Sequence, residues 1–184
     1  MKKILSLTIL FAFIAFGISC KKKEEANKLT EFDIDYTTNL TIPSASIPVN
    51  APSQTAEFTT PNIATEQATK FSAQNTAKSL IDEIKMTRFN LSAVGSGANL
   101  DYLKSITIYI KATGVGEEQV AVKTSIPPGL TSLSLDLTDV NIKDYIFQDN
   151  IQFRVVATFD VTATTASQTL KLDQTVHVKA TLLK

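Results

Sequence analysis

Side chains able to carry out catalysis are few in this chain of 184 residues. It contains one histidine, His177, and one cysteine, Cys20. A Ser-His-Asp triad or an imidazole metal site would therefore have to use His177. Because His177 lies between Val176 and Val178 in a segment of alternating polarity, its ring is predicted to point outward from a strand. We expect an exposed surface histidine with no catalytic role.

Carboxylate pairs are the next candidates. Asp33 and Asp35 are two residues apart on the polar side of a predicted strand, without the glycine turn and distal glutamate of a calcium loop. Four other aspartates could supply the acid and base of a glycosidase. Each of them is also explained as a cap or turn residue: Asp136, Asp139, Asp144 and Asp149. We expect no metal site here and no glycosidase.

Nucleophile and phosphate motifs are also missing. The segment Gly95-Ser96-Gly97 lacks the flanking pattern of a nucleophile elbow, and no helix is predicted after it. The five glycines that follow residue 19 all lie in predicted turns, so none remains for a phosphate-binding loop. The sequence therefore predicts a protein that is not an enzyme and that carries no cofactor.

Aromatic residues could still bind a ligand or a partner. The chain has no tryptophan, which weakens a carbohydrate-binding interpretation without removing it, because four tyrosines remain: Tyr36, Tyr102, Tyr109 and Tyr145. Tyr109 stands on the side of a predicted strand opposite three isoleucines. Either it packs under a loop, which we favour, or it is exposed to a partner.

The first twenty residues have the pattern of a secretory signal. Two lysines precede an apolar run from Leu7 to Phe16 that only Thr8 interrupts, and small residues then lead to Cys20. A transmembrane helix is the weaker alternative, because this run is shorter than the roughly 20 residues that a span requires. Residues 1–19 are therefore predicted to be a signal peptide.

The end of this signal, Gly17-Ile18-Ser19-Cys20, resembles the lipobox of bacterial lipoproteins. It departs from the family pattern at Gly17, where leucine is usual, and at Ile18, where a smaller residue is commoner. The resemblance implies cleavage before Cys20, a diacylglycerol on its sulfur and a fatty acid such as palmitate on the new amino terminus. Two or more acyl chains make a stable membrane anchor, whereas one holds only marginally. Acylation of Cys20 would also leave no free thiol.

A short charged segment follows the cysteine. Lys21-Lys22-Lys23-Glu24-Glu25 resembles the surface-export signal of certain Gram-negative lipoproteins, and the alternative is a solvated spacer. By the same resemblance, lysine rather than aspartate after the cysteine argues against retention in the inner membrane. Residues 20–29 are thus predicted to tether a domain to the outer membrane, either exposed at the surface or facing the periplasm.

Charge and length limit what the tethered part can be. Without residues 1–19, the chain keeps 16 basic and 18 acidic side chains. This near balance gives no reason to expect nucleic-acid binding or a polybasic membrane patch. Residues 30–184 have the length of a single domain with a sizeable core.

Apolar residues that alternate with polar ones predict about eight strands. The segments are 32–42 (either one strand or a pair of short strands with a kink near Thr37-Thr38), 56–60, 84–94, 105–112, 119–124, 133–137, 151–161 and 170–182. A change of phase after Met86 predicts a β-bulge near Thr87-Arg88, and Val120 and Val122 are expected to point inward. The last two segments are predicted to form a hairpin.

Two short helices are expected between these strands. Within 64–80 a weak helix is predicted, most clearly over 76–82 with Thr76 as the N-cap, lying outside the core. A second helix is predicted over 139–147, capped by Asp139 or Asn141.

This pattern is typical of a mainly β protein, an antiparallel β-sandwich of immunoglobulin or fibronectin type III kind. A closed barrel is the main rival, and a membrane barrel disagrees with the polar outward sides. We expect a non-enzymatic lipoprotein with a structural, adhesion or complex-subunit role, whose protein or glycan partner the sequence does not identify. The alternative is a glycan- or small-molecule-binding lipoprotein that works with an outer-membrane transporter.

Overall fold

A computed structural model describes residues 31–44, 53–160 and 166–180. The predicted signal peptide, Cys20 and the charged segment Lys21–Glu25 lie outside the described residues. The same holds for the ends of the last two predicted strands, at Val161 and Leu182.

The described residues form ten strands and two α-helices, with one 3-10 turn at Lys78–Leu80. The strands are β1 (Glu31–Ile42), β2 (Thr55–Thr59), β3 (Ile63–Ala64), β4 (Ile81–Val94), β5 (Leu103–Ala112), β6 (Val115–Lys123), β7 (Ser132–Ser134), β8 (Asp136–Leu137), β9 (Asn150–Phe159) and β10 (Gln168–Ala180). The helices are α1 (Gln67–Ala73) and α2 (Lys143–Ile146).

The strands form two antiparallel sheets. Sheet A has the order β1-β10-β4-β7, and sheet B has the order β2-β9-β5-β6-β8, with β3 also paired to β9. The predicted β-sandwich is therefore confirmed, with about ten strands instead of eight. The additional strands are the two-residue β3 and the division of the predicted 133–137 strand into two.

The core lies between the sheets because alternate residues of each strand point to the same side. In β5 these residues are Ile106, Ile108 and Ile110, each at most 1% exposed. The two sheets meet at Phe89 and Phe153, whose rings pack edge to face with centroids 5.2 Å apart. Each such side chain stabilises the fold by roughly 1.5–3 kcal/mol through burial.

The predicted bulge is confirmed in β4. Thr175 of β10 pairs with Arg88, whereas the next residue, Val176, pairs with Met86. Thr87 is therefore the additional residue. It shifts the phase of the strand so that Met86 and Phe89, three positions apart, are both buried.

The predicted hairpin of the last two strands is wrong. β9 lies in sheet B beside β2 and β5, whereas β10 lies in sheet A between β1 and β4. Alternation determines which side of a strand is buried, but it does not determine which strand lies beside it. The chain crosses from one sheet to the other between Phe159 and Gln168.

Two details of the central segments also differ from prediction. In β6 the residue Val120 is buried, as predicted, but it is the additional residue of a bulge, because Ile108 pairs with Ala121 and Tyr109 with Gln119. Ala121 is therefore buried, and Val122 is only half-buried. The predicted 133–137 strand passes between the sheets: β7 pairs with β4, β8 pairs with β6, and Leu135 is buried between them.

The first helix lies earlier in the chain than predicted. Residues 76–82 contain the 3-10 turn and the start of β4, and Ala77, not Thr76, precedes that turn. Helix α1 carries Phe71 into the core, where its ring lies 6.2 Å from both Phe32 and Phe147. The expectation that this helix stays outside the core is wrong. Although the helix has only two turns, its one buried side chain, Phe71, packs into the core.

Helix α2 is shorter than the predicted 139–147. Of the two expected caps, Asn141 contributes: its Oδ1 accepts hydrogen bonds from the backbone N–H of Lys143 and of Ile84, each at 3.1 Å. Asp139 instead lies 2.8 Å from the Lys85 ammonium. The Asn141 side chain therefore joins the start of this helix to β4.

Candidate functional site

His177 points outward from sheet A, as predicted, and its ring lies between two carboxylates. Its Nδ1 is 2.8 Å from Asp33 Oδ1 on β1, the residue that it directly faces in the sheet. Its Nε2 is 3.6 Å from Glu31 Oε2. Both ring nitrogens therefore face carboxylates, an arrangement that suits an ion pair and directs neither nitrogen at a hydroxyl nucleophile.

Asp35 belongs to a different group on the same surface. Its Oδ1 accepts hydrogen bonds from Thr175 Oγ1 at 2.5 Å and from Arg88 Nη2 at 3.1 Å. Arg88 Nε donates in turn to Thr175 Oγ1 at 2.9 Å. Asp33 and Asp35 are thus held by separate partners, and the described residues contain no group of three acidic, histidine or cysteine side chains placed to hold a metal ion.

A third group of charges occupies one end of this surface. The Lys85 ammonium lies 2.8 Å from Asp139 and 2.9 Å from Glu83. These contacts, led by the one with Asp139, raise the pKa of Lys85, and the hydrogen bond from Lys85 lowers the pKa of Glu83. Lys179 also lies 3.5 Å from Glu83. The charges on the outer side of sheet A thus largely compensate one another.

On the outer side of sheet B, Arg154 is the central cation. Its guanidinium carbon lies 4.2 Å from the centroid of the Tyr109 ring. Its Nε donates to Glu117 at 2.8 Å, and its Nη1 lies 3.2 Å from Glu57. The hydrogen bond to Glu117 is the main cause that raises the pKa of Arg154. Tyr109 is therefore covered by an arginine and not, as predicted, by a loop.

The remaining candidate aspartates take part in separate local contacts. Asp136 pairs with Lys123 at 3.2 Å, and Asp144 lies in the first turn of α2. Asp149 uses its backbone oxygen to accept a hydrogen bond from the Thr65 amide at 3.0 Å. Asp144 at a helix start and Asp149 in a bend agree with the roles expected from the sequence, whereas Asp136 lies in β8 and is neither a cap nor a turn residue.

The other three tyrosines are buried and belong to the core. The hydroxyl of Tyr36 donates to the Thr65 carbonyl at 3.1 Å, and burial raises the pKa of Tyr36 and of Tyr102. Tyr145 is 7% exposed. None of the three presents an open ring for stacking on a ligand.

A concavity at one end of sheet B was not predicted from the sequence. It encloses about 280 Å³ and is lined by Asn62, Lys111, Ala112, Thr113, Asn150 and Gln152. Lys111 and Gln152 are direct partners in neighbouring strands. Five of these six side chains are polar. We call this concavity the amide pocket.

A second concavity, of about 230 Å³, lies between β1 and α1. Its lysine, Lys70, is already in contact with protein groups: the ammonium lies 4.1 Å from the Tyr36 ring centroid, 3.5 Å from the Asp35 carbonyl and 3.9 Å from Glu66. Burial is the main cause that lowers the pKa of Lys70. This groove therefore offers a ligand fewer unengaged polar groups than the amide pocket.

The spacing of the lining residues explains why the amide pocket was missed. Lys111 follows Tyr109 by two residues, so alternation places both on the outer side of β5. Asn62 and Asn150, however, are 88 positions apart in the sequence, and only the pairing of β3 with β9 brings their segments together. The alternation of polar and apolar residues does not indicate that β3 pairs with β9.

Within the part of the chain that the structure describes, no helix has both the length and the apolar character needed to cross a membrane.

Fold and surface together define a mainly β protein, an antiparallel β-sandwich with charged outer sides and a polar concavity at one end of sheet B. No protein-family model matches the chain. No curated protein matches it either. Among solved structures, it is similar to a "putative secreted protein" from Eubacterium rectale, with 15% sequence identity and a TM-score of 0.43 over 82% of this chain. The match spans 40% of the length of that protein.

Proposed function

We propose that this chain is a lipid-anchored lipoprotein of the outer membrane with a non-enzymatic role, as an adhesion module, an envelope scaffold or a subunit of a larger complex. The observation that carries the proposal is the segment Gly17-Ile18-Ser19-Cys20 at the end of an apolar, lysine-flanked signal. The sandwich begins soon afterwards, at Glu31.

The length of the segment between anchor and domain supports a membrane-proximal position. Ten residues separate Cys20 from Glu31. A fully extended chain spans at most about 3.6 Å per residue, so a lipid on Cys20 would keep β1 within roughly 40 Å of the membrane surface. An anchored sandwich of this kind is suited to partners in or close to that membrane.

The use of the charged side chains supports a non-enzymatic role. His177 is held by Asp33, Arg88 by Asp35, and Arg154 by Glu117. In each of these three pairs, the histidine or arginine contacts a carboxylate on the outer side of a sheet. Such contacts stabilise the orientation of surface side chains, and they differ from the unpaired groups that catalytic sites commonly contain.

The test is the variant Cys20→Ala in cells that express the full chain. The variant should lack the acyl mass and should leave the membrane fraction after a salt wash, because the thiol that accepts the lipid is gone. His177→Ala serves as the control and should remain with the membranes. Continued sedimentation of Cys20→Ala with washed membranes would contradict the anchor.

A second candidate function is a lipoprotein that binds a glycan or another small molecule and passes it to an outer-membrane transporter. The amide pocket is the specific observation that favours it, because convergent polar groups in a concavity are typical of small-molecule sites. Affinity purification of the full chain from membranes in mild detergent separates the two candidates. Recovery of a transporter supports the second, and recovery of a lipoprotein or adhesion complex without a transporter supports the first.

A further inference from the structure

The amide pocket contains a cation, Lys111, that has no partner among the residues that the structure describes. Every other lysine and arginine side chain in residues 31–44, 53–160 and 166–180 makes an ion pair, a hydrogen bond or a ring contact. Lys111 makes none of these, although it is half-buried. An ammonium without a counter-charge, on a half-buried side chain, is an attractive partner for an anion from solution.

The groups around Lys111 are also largely free. Gln152 donates from Nε2 to the Thr60 carbonyl at 3.1 Å, which leaves its Oε1 available. The side chains of Asn62, Thr113 and Asn150 have no hydrogen-bond partner within the described residues. The pocket therefore offers several donors and acceptors that are not used by the fold.

The backbone holds these groups in fixed relative positions. Lys111 faces Gln152 across the β5–β9 pair, and Asn150 begins β9, where it pairs with Ala64 of β3. Side chains of directly paired residues start only about 4.5–5.5 Å apart. Because β3, β9 and β5 are neighbouring strands of one sheet, the site is organised before a ligand arrives.

The chemistry of the lining defines the ligand. Asparagine and glutamine amides, like a threonine hydroxyl, both donate and accept hydrogen bonds, as sugar hydroxyls do. Lys111 provides one positive charge, and the only apolar side chain in the lining is the methyl group of Ala112. A matching ligand carries one negative charge and several hydroxyl groups and has little apolar surface.

We infer that the amide pocket binds an acidic sugar, with the sugar carboxylate on Lys111 and its hydroxyls on Asn62, Asn150 and Gln152. The inference rests on the second candidate function and names the ligand class for it. A volume of about 280 Å³ lies just below the roughly 300–1,000 Å³ of typical small-molecule sites, so the pocket holds a single sugar unit and not a longer chain.

The test uses the full chain purified in mild detergent and three probes: glucuronate, glucose and acetate. Saturation-transfer NMR and a titration should detect saturable binding of glucuronate, with glucose and acetate each at least tenfold weaker. Lys111→Gln should weaken glucuronate binding at least tenfold. Lys104→Gln, a lysine on the same strand outside the pocket, is the matched control and should bind like the wild type.

Asn150→Ala provides a second variant that does not alter charge, and it should weaken glucuronate and glucose alike by removing a hydroxyl contact. The thermal midpoint of each variant verifies that it is folded. Absence of saturable glucuronate binding by the wild type would overturn the inference. Equal affinity for acetate and glucuronate would do so as well, because the site would then recognise only an anion. Neither failure affects the recovery of a transporter by affinity purification or the Cys20→Ala test of the anchor, so this inference and the two candidate functions fail separately.

Discussion

The guanidinium of Arg154 lies over the ring of Tyr109: its carbon is 4.2 Å from the ring centroid, and the two residues face each other directly across β9 and β5. Glu57 from β2 and Glu117 from β6 hold the same guanidinium from two further strands. One arginine therefore connects side chains of four neighbouring strands on the outer side of sheet B.

The Arg154–Tyr109 contact should be measurable as a coupling energy. A double-mutant cycle with Arg154→Met and Tyr109→Leu should give about 0.5–1 kcal/mol in urea unfolding, the usual strength of an exposed cation–π contact. Arg154→Met alone should cost about 1–2 kcal/mol, because it also removes two partly exposed ion pairs.

Lys123→Met is the control for that cycle, since it removes a single partly exposed ion pair, the one with Asp136 of β8. It should cost less than about 1 kcal/mol. A coupling energy of zero between Arg154 and Tyr109 would mean that their proximity contributes nothing to stability.

The buried side chain of Gln174 is expected to lower the free energy of unfolding of the wild-type protein. Its side chain is fully buried on the inward side of β10, and neither its amide nitrogen nor its amide oxygen has a hydrogen-bond partner within the described residues. An unpaired buried amide costs about 1–3 kcal/mol. Gln174→Met, which keeps the length of the side chain, should therefore raise the free energy of unfolding by about 1–2 kcal/mol in urea or thermal unfolding.

Gln119→Met is the matched control, because this glutamine is only half-buried and should change stability by no more than about 0.5 kcal/mol. A loss of stability in Gln174→Met would show that the amide is hydrogen-bonded in the folded protein.

The inward and outward sides of β9 and β10 should respond very differently to substitution. Phe153→Ala should cost about 3–5 kcal/mol, because the ring is 1% exposed and packs on Phe89. Val178→Asp should also be strongly destabilising, because it places an unpaired carboxylate in the core. His177→Ala, which removes a partly exposed contact with Asp33, should stay within about 1 kcal/mol of wild type. Similar urea midpoints for all three variants would contradict this orientation of the strands.

Sequence periodicity predicted the sides of the strands well because it is a local property. The phase change around Thr87 located a bulge, and the three isoleucines of β5 are all buried. Periodicity does not encode which strands are neighbours. That is why β9 and β10 were assigned to one hairpin, and why the contact between Tyr109 and Arg154 was missed.

The first helix was misplaced for a different reason. Over 76–82 the local signals favour a helix, but the structure pairs Ile81 with Ala180 and extends β4 into this segment. The helix instead forms earlier in the chain, at α1, where Phe71 packs against Phe32 and Phe147. Tertiary packing thus overrides a weak local propensity. The same limit applies to the amide pocket, whose residues come from three separate segments.

The segment Lys21–Glu25 provides the last prediction, which concerns the side of the outer membrane that the domain faces. Three lysines followed by two acids stand directly beside the proposed lipid, where a spacer without further function would consist of serine, glycine or asparagine. If the segment is an export signal, protease added to whole cells should remove the wild-type domain. Replacing Lys23, Glu24 and Glu25 with alanine should leave acylation intact and protect the domain from that protease.

Alanine at Asn27 and Lys28, in the same tether but outside the signal, is the control and should leave the domain accessible. Protection of the wild-type domain in whole cells, with digestion once the outer membrane is opened, would place the sandwich in the periplasm and rule out the export signal.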